Sequence, residues 1–314
     1  MKKDLLTLFD VTREDLESLF EEADRLQTDR SATPLLGATV ALIFQKPSLR
    51  TRVSFEVGVA QLGGNTTFLS QESIGVGTRE SAHDVAMLLS RFCDAIIARL
   101  YDHTVIVELA RHATVPVINA LTDISHPCQV LADLYTIRQH GRLKPGLKVA
   151  FVGDGNNVVN SWLEMASLYP MEFVLAAPRG YWPDEGIVRR ARESGVSKIE
   201  ITNDPSAAVQ RADVVYTDVW TSMGQEAESE KRKKAFAAFQ VNEVLMSHAP
   251  SDCMVMHCLP AHRGEEITTG VIDGPNSIVF DEAENRLHIQ KAVLSALCTR
   301  KSIPARFQKG VKTG

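Results

Sequence analysis

Short apolar runs alternate with helical patterns along almost the whole of this chain. Ten runs are candidate strands, at 38–44, 65–70, 94–100, 115–121, 147–153, 172–178, 198–204, 213–219, 253–259 and 277–280. Several of them are almost continuously apolar, which is typical of parallel strands covered by helices on both faces. The alternation therefore predicts an α/β fold built on parallel sheets.

Two domains accommodate these strands better than one. A length of 314 residues is sufficient for two domains, and ten strands would make one unusually wide open sheet. The polar segment 139–146 contains glycine and proline and is the best candidate for a boundary. We therefore predict two domains, residues 1–140 and 141–284, each a parallel β-sheet flanked by helices. A C-terminal helix at about 285–314 is expected to pack back on the first domain.

Composition excludes several classes of protein. The formal net charge of -5 argues against a nucleic-acid-binding protein, although it leaves room for a local anion site. No run of 18 apolar residues without a charge is present, so we expect no membrane span. The N-terminus lacks the apolar run of a signal peptide. Five irregularly spaced cysteines favour reduced thiols and a cytoplasmic protein over a disulfide framework.

Residues 46–52, Lys-Pro-Ser-Leu-Arg-Thr-Arg, follow the first predicted strand and precede a helical pattern. A helix that begins there exposes backbone N–H groups at the positive end of its dipole. The guanidinium groups of Arg50 and Arg52 and the hydroxyls of Ser48 and Thr51 suit phosphate or carboxylate. A capped helix with surface arginines would also fit, but the crowding of cations at the carboxyl end of a strand favours an anion site.

Residues 125–129, Ser-His-Pro-Cys-Gln, open another helical pattern at the end of a predicted strand. Pro127 fits the first turn of a helix. His126 and Gln129 are three positions apart and would lie on one side of that helix, where they could bind a carbonyl group. A capping histidine with a solvated glutamine is an equally good interpretation of this segment alone.

Residues 153–157, Gly-Asp-Gly-Asn-Asn, suggest a dinucleotide-binding turn, but the pattern is incomplete. Val158 occupies the position of the third glycine, and the following strand ends in Pro178 and Arg179 with no acidic residue for a ribose. A turn that presents asparagine amides to a small ligand fits better.

Two further strand ends carry polar groups. Asp218 ends the run 213–219, where it could pair with a substrate ammonium or simply form a turn. His257 and Cys258 would point to opposite faces of a strand, and the chain has no C-x-x-C pair there, so we predict no metal site. Cys258 is then either a polar contact in a cleft or a buried inert thiol. Arg286, near the start of the last helical stretch, could reach a cleft or lie on the surface.

Taken together, these segments resemble the ornithine carbamoyltransferases of the aspartate/ornithine carbamoyltransferase family. The resemblance runs from about residue 40 to about residue 295 and rests on KPSLRTRVSFE, HPCQ, DVWTSMG, HCLPAHRG and FDEAENR, in this order. It implies a carbamoyl phosphate-binding first domain, an L-ornithine-binding second domain, an active site in the cleft between them, and a homotrimer. It also implies a one-carbon transferase of arginine metabolism that converts carbamoyl phosphate and L-ornithine to L-citrulline and phosphate without metal or cofactor.

The resemblance also implies roles for individual residues. Carbamoyl phosphate would be bound by Ser48, Leu49, Arg50, Thr51, Arg99, His126, Gln129, Cys258, Leu259 and Arg286. L-Ornithine would be bound by Asn157, Asp218, Ser222 and Met223. The implied catalytic residues are Arg50, Arg99, His126, Asp218 and Cys258.

Two positions depart from the family pattern. Leu49 replaces the usual threonine, which removes a hydroxyl and keeps the backbone N–H. Gly75 aligns with a glutamine or histidine that a neighbouring subunit usually contributes. That contact would then be lost or supplied by Gln71, Thr78 or Arg79.

Three other functions remain as alternatives at this point. The chain could be a transcarbamylase for another amine, such as putrescine or an N-acylated ornithine. It could be a nucleotide-binding oxidoreductase on a Rossmann-like fold, or a non-catalytic regulatory protein. The sequence does not distinguish arginine synthesis from breakdown.

Overall fold

The computed structural model describes residues 1–221 and 226–298, with the side chain of Glu226 left out. These residues form two compact units. The first contains Met1–Cys128 and the described residues from Arg286 onward, and the second contains Gln129–Asn285.

The first unit is built on a four-stranded parallel sheet of order β2-β1-β3-β4. Its strands are β1 (Thr39–Phe44), β2 (Asn65–Ser70), β3 (Ala95–Arg99) and β4 (Val117–Leu121). Its helices are α1 (Arg13–Thr28), α2 (Leu49–Gln61), α3 (Gln71–Ile74), α4 (Ala82–Phe92) and α5 (His103–His112), with a 3-10 turn at Leu8–Asp10. Strand β3 is buried along its whole length, as expected for a central strand of a parallel sheet.

The second unit is built on a five-stranded parallel sheet of order β7-β6-β5-β8-β9. Its strands are β5 (Leu147–Val152), β6 (Met171–Ala176), β7 (Lys198–Thr202), β8 (Val214–Thr217) and β9 (Met254–His257). Its helices are α7 (Asn157–Ala166), α8 (Glu185–Glu193), α9 (Pro205–Val209), α10 (Ser229–Phe236), α11 (Glu243–Met246) and α12 (Thr269–Ile272), with 3-10 turns at Glu226–Glu228 and Ala237–Phe239.

Two helices contribute residues to both units, namely α6 (Pro127–Gln139) and α13 (Val279–Leu297). Within the first unit, Lys291 of α13 donates its ammonium to the carbonyl oxygen of Leu26 and to Oε1 of Gln61, over 2.9 and 3.1 Å. The final part of α13 is therefore anchored to the first unit.

The α/β fold on two parallel sheets, predicted from the alternation of strands and helices, is confirmed. Nine of the ten predicted strands are present. The tenth prediction, 277–280, is wrong, because Ser277 forms only an isolated bridge with Val255 and α13 begins at Val279. A run of four residues, three of them apolar, is too short to distinguish a strand from the first turn of a helix.

Each sheet has one pair of neighbouring strands whose connections leave in opposite directions. In the first unit this pair is β1 and β3, and in the second it is β5 and β8. Ligands of open α/β sheets bind at the carboxyl ends of such a pair. The turns at 45–51, 99–101, 153–157 and 218–221 follow these strands.

Candidate functional site

The turn after β1 is shaped by the N-cap of α2. Ser48 has an extended backbone, and its hydroxyl accepts a hydrogen bond from the backbone N–H of Thr51 over 3.2 Å. Helix α2 therefore begins at Leu49, and its first turn directs backbone N–H groups out of the helix end. The side chain of Leu49 itself is 73% exposed.

Two buried arginines converge on the hydroxyl of Thr51. Arg286 donates from Nη2 to Oγ1 of Thr51 over 3.0 Å, and Arg99 donates from Nη1 to the same atom over 3.4 Å. The exposed fractions of Arg99, Arg286 and Thr51 are 6%, 3% and 1%. Because a hydroxyl oxygen has two acceptor sites and one proton, both acceptor sites are taken and the Thr51 O–H is left to donate elsewhere.

His126 lies in the same unit, at the end of the turn that follows β4. This turn is held by Ser125, whose carbonyl oxygen accepts from the Thr122 backbone over 3.0 Å and from Nδ2 of Asn119 over 3.2 Å. Burial and the positive charges of Arg286, Arg99 and Arg50 hold the pKa of His126 well below its ordinary value. His126 is therefore a neutral imidazole at neutral pH, in a region of positive potential.

Arg52 does not belong to this group, which corrects its inclusion in the predicted anion site. Its Nε donates to Oε1 of Glu56 over 2.9 Å, and its guanidinium lies 3.7 Å from the centre of the Phe68 ring. The ion pair and the stacking hold Arg52 along the side of α2.

Gln129 belongs to the second unit and is almost completely buried. Its side-chain nitrogen donates to Oδ1 of Asp133 over 2.8 Å and to Oε1 of Glu282 over 3.0 Å. Glu282 also accepts from the Tyr216 hydroxyl over 3.0 Å and from the backbone N–H of His257 over 2.9 Å. Sequence reasoning missed Asp133, Glu282 and Tyr216, since each reads as an ordinary residue of its helix or strand.

Asp218 lies directly after β8 and is surrounded by hydrogen-bond donors. Oδ2 accepts from Nδ2 of Asn156 over 2.7 Å, and Oδ1 accepts from its neighbour's backbone N–H over 2.8 Å and from the Cys258 thiol over 3.0 Å. Burial of the thiol and the adjacent Asp218 raise the pKa of Cys258 well above its ordinary value. Cys258 is therefore a protonated hydrogen-bond donor rather than a thiolate nucleophile.

The backbone that follows Cys258 is held in an uncommon conformation. Leu259 has φ of 55°, and its bond to Pro260 is cis. The Leu259 N–H donates to Nδ1 of His257 over 2.9 Å, so Nε2 carries the imidazole proton and donates to Oε1 of Glu266 over 3.1 Å. His257 and Glu266 are both fully buried, and they fix the turn that presents Cys258 and Leu259.

Asp218, His257 and Cys258 are close enough for their donor atoms to suit a metal ion. Both nitrogens of His257 are, however, engaged by Leu259 and Glu266. The Cys258 thiol retains its proton for Asp218. A metal would have to displace all of these hydrogen bonds, so this donor set does not form a prepared metal site.

Close packing explains why the turn after β5 has a glycine at position 155. A Cβ on Gly155 would lie 2.4 Å from the backbone nitrogen of Pro183 and 2.5 Å from the carbonyl carbon of Trp182. The backbone N–H of Gly155 also donates to the carbonyl oxygen of Tyr181 over 2.9 Å. The glycine therefore allows the segment 181–183 to pack on this turn, which explains its presence without a dinucleotide.

Asp154, in the same turn, forms a buried ion pair with Arg232 of α10. Burial raises the pKa of Asp154 to about 6, although Arg232 opposes the shift. Arg232 also donates to the carbonyl oxygen of Trp220. Helix α10 is thus tied through Arg232 to the turn after β5.

Other predicted site residues have simpler positions. Asn157 is the first residue of α7, where Asn156 provides the N-cap by accepting from the backbone N–H of Val158 over 2.9 Å. Ser222 and Met223 lie outside the described residues. Gly75 has φ of 59° and ends α3, and a Cβ there would lie 2.9 Å from Cβ of Arg79. A side chain at position 75 would therefore be strained as well as crowded.

Comparison with protein-family models gives two matches. Residues 3–139 match the carbamoyl-P binding domain of aspartate/ornithine carbamoyltransferase, and residues 145–297 match the Asp/Orn binding domain.

Individual relatives support the same assignment. The chain is 56% identical over 283 residues to an ornithine carbamoyltransferase of Chlorobaculum tepidum, covering 89% of this chain and 83% of the relative. It is 52% identical over 301 residues to an anabolic ornithine carbamoyltransferase of Pyrococcus furiosus, covering 93% and 95% of the two chains. A solved structure of ornithine carbamoyltransferase from Pyrococcus furiosus superimposes with a TM-score of 0.89 at 51% identity, covering 93% of this chain and 96% of the other.

Proposed function

Because this chain belongs to the aspartate/ornithine carbamoyltransferase family, we propose that it transfers the carbamoyl group of carbamoyl phosphate to the δ-amine of L-ornithine. The products are L-citrulline and phosphate. The observation that carries the proposal is the convergence of Arg99 and Arg286 on Thr51 at the start of α2. Two buried cations beside a helix N-terminus suit a small substrate that carries phosphate.

The phosphate is bound by the turn after β1. Ser48 supplies its hydroxyl, Leu49 supplies its backbone N–H, and Arg50 supplies a guanidinium fork. Because Leu49 points its side chain to solvent, its replacement of threonine leaves the backbone N–H in place. These groups bind the phosphate more strongly as it leaves, since its negative charge increases when the bond to the carbamoyl carbon breaks.

The carbamoyl group is bound by Arg99, His126, Gln129 and Arg286, with Cys258 and Leu259 contributing from the turn after β9. Negative charge develops on the carbamoyl oxygen when the amine attacks. The Thr51 O–H and the Arg99 guanidinium stabilise that charge. His126 acts as a neutral hydrogen-bonding group, in agreement with its lowered pKa.

The amine is oriented by Asp218. The ordinary pKa of an alkyl ammonium is about 10.4, so the δ-ammonium of ornithine must lose a proton before it attacks the carbamoyl carbon. Asp218 binds the δ-nitrogen in competition with Asn156 and Cys258, which already donate to it. Asn157, Ser222 and Met223 bind the α-amino and carboxylate end of ornithine. After the new C–N bond forms, the bond between the carbamoyl carbon and the phosphate oxygen breaks, and the departing phosphate accepts the second proton from the nitrogen.

We further propose that residues 1–140 bind carbamoyl phosphate and residues 141–284 bind L-ornithine, while the helix from about 285 returns to the first domain. The family models for the two domains support the first assignment, since their matches end and begin at residues 139 and 145. The hydrogen bonds from Lys291 to Leu26 and Gln61 support the return of α13.

The working assembly is a homotrimer in the cytoplasm that serves arginine biosynthesis. Leu49, Val53 and Val57 support an oligomer, because they form an exposed apolar stripe at four-residue intervals along α2.

The five cysteines are free. In the described part of the chain, no helix is long and apolar enough to span a bilayer. The anabolic relative of Pyrococcus furiosus supports the biosynthetic direction. Light scattering coupled to size-exclusion chromatography measures the oligomeric state.

A panel of amines tests the proposed reaction. Citrulline-type product formation is measured with carbamoyl phosphate and each of L-ornithine, putrescine, N-acetylornithine and L-aspartate. We expect L-ornithine to give the highest kcat/KM by a wide margin. A higher kcat/KM with another amine, or no product with any of them, would refute the proposal.

A further inference from the structure

Two acidic side chains in the second unit, Asp133 of α6 and Glu282 of α13, are completely buried and meet at Gln129. An amide NH2 group has two protons, and here one is directed to Oδ1 of Asp133 and the other to Oε1 of Glu282. The opposite orientation of the amide would place its carbonyl oxygen against two carboxyl oxygens. The pair therefore fixes which end of the Gln129 amide faces inward.

The hydrogen bonds around Glu282 fit a carboxylate. It accepts from three donors, namely the Gln129 amide, the Tyr216 hydroxyl and the backbone N–H of His257. A charged oxygen acceptor makes each of these bonds stronger than a neutral one would. Glu282 thus joins the start of α6, strand β8 and the end of strand β9 at one point.

Asp133 has the surroundings of a protonated acid. Burial raises its pKa well above the ordinary value, and the charge of Glu282 adds to the shift. Its Oδ2 atom is buried and has no hydrogen-bond partner among the described residues. Tyr216, Cys258 and His257 also face the cluster, and burial together with the nearby carboxyl groups raises the pKa of Tyr216 and of Cys258. Burial raises the pKa of Glu282 as well, and the three donors to Glu282 favour Asp133 as the site of the proton that the pair holds.

We propose that Asp133 and Glu282 are positioning residues that turn the carbonyl oxygen of Gln129 toward the substrate and thereby select an acyl phosphate that carries an NH2 group. This inference rests on the proposed function, in which Gln129 contacts the carbamoyl group. The NH2 of a carbamoyl group donates hydrogen bonds, whereas the CH3 of an acetyl group of the same shape does not. Only an oriented carbonyl oxygen distinguishes the two.

Binding of two stable isosteres measures this selection. Phosphonoacetamide and acetonylphosphonate differ only in carrying NH2 or CH3 on the carbonyl carbon. Their dissociation constants, and that of orthophosphate, are measured by calorimetry on the full-length protein. We expect the wild type to bind phosphonoacetamide at least about tenfold more tightly than acetonylphosphonate, which corresponds to one neutral hydrogen bond.

Three variants separate positioning from general damage. Asp133→Ala should remove most of the preference for phosphonoacetamide and leave orthophosphate binding within about twofold. Asp133→Asn should restore the preference, because its amide is neutral, as protonated aspartic acid is, and its carbonyl oxygen can accept from Gln129. Glu282→Gln should reduce the preference, since a glutamine has one acceptor oxygen for three donors.

The controls cover folding and the reaction itself. If Asp133→Ala fails to fold in a thermal-melt assay, the proposal is tested by comparing Asp133→Asn with Glu282→Gln. An equal loss of the preference for phosphonoacetamide in these two variants overturns the proposal. An unchanged preference in Asp133→Ala, or a parallel loss of orthophosphate binding, also overturns it. Absence of citrulline formation by the wild type would instead refute the proposed function, and the binding preference would still be measurable.

Discussion

Replacement of Thr51 by valine tests the anion site most directly, because it removes one hydroxyl and keeps the shape of the side chain. The oxygen accepts from Arg286 over 3.0 Å and from Arg99 over 3.4 Å, and the site is almost completely buried. A hydrogen bond from a charged group contributes about 1.5–3 kcal/mol, and the longer of these two bonds contributes less. We expect Thr51→Val to lower the free energy of unfolding by about 2 kcal/mol.

The effect on catalysis should be larger than the effect on stability. In the proposed mechanism the Thr51 proton is the part of the hydroxyl that reaches the carbamoyl oxygen, and loss of one such donor lowers kcat by about 10²–10³. Initial rates of citrulline formation at saturating L-ornithine give kcat/KM for carbamoyl phosphate, and urea unfolding gives the stability. Thr51→Ser is the matched control, since it keeps the hydroxyl and removes a methyl group at a cost of about 0.8 kcal/mol.

Two results would contradict this reasoning. A kcat/KM in Thr51→Val within about fivefold of the wild type would mean that the hydroxyl makes no contact specific to the transition state. Equal losses in Thr51→Val and Thr51→Ser would mean that packing, and not the hydroxyl, is responsible.

Four further predictions concern other parts of the site. Arg50→Gly should nearly abolish citrulline formation in a folded protein. Arg52→Gly loses only the contacts with Glu56 and Phe68 and should keep most of the activity. Similar rates in both variants would refute the assignment of Arg50 to the phosphate. Asp218→Asn should lower kcat/KM for L-ornithine by at least about 10² and change carbamoyl phosphate binding much less, as steady-state kinetics can show. Asp154 has a folded-state pKa of about 6 against an ordinary value of 3.8. Its contribution to stability is therefore complete only well below pH 3.8 and is lost as the pH rises through about 6. The free energy of unfolding of the wild type in urea, relative to Asp154→Asn, should fall by about 2.5 kcal/mol between pH 4 and pH 7. Incubation with a chelator should leave citrulline formation unchanged, and a loss of activity that zinc restores would refute the prediction that the reaction needs no metal.

The fold was predictable because its strands carry a strong signal. Strands such as β3 and β5 are buried along their whole length, and such strands appear in the sequence as nearly unbroken apolar runs. The error at 277–280 arose where the run was shortest. At Val279 the apolar residues belong to the first turn of α13, and four residues contain too little periodicity to show it.

The site was predictable at its turns and not at its long-range contacts. Ser48 and Thr51 are neighbours in sequence, so a helix cap could be inferred from their spacing. Arg286 alone suggested a surface residue as readily as a buried one, because its hydrogen bond to Thr51 spans 235 positions. The contact of Gln129 with Glu282 spans 153 positions and left no local pattern.

Buried acids are the class of residue that sequence reasoning missed most completely. Glu282 and Asp133 lie on helices where acidic residues are usually solvated. Their burial depends on the packing of three elements, α6, α13 and β8. These elements are far apart in the sequence, so no short segment of it shows that they pack together. Glu266 was missed for the same reason, since its partner His257 lies on a different element.

The cysteines of this protein differ in their exposure to solvent, which makes one of them suitable for selective chemical modification. Cys93, Cys128, Cys253 and Cys298 are buried, and Cys258 is the one that retains partial exposure. A small alkylating reagent should therefore modify Cys258 first, and slowly, because its thiol holds its proton against Asp218. Mass spectrometry can follow the rate of that modification. A bound ligand that covers Cys258 would lower this rate, so the rate would report how much of the protein has ligand bound, without any introduced label.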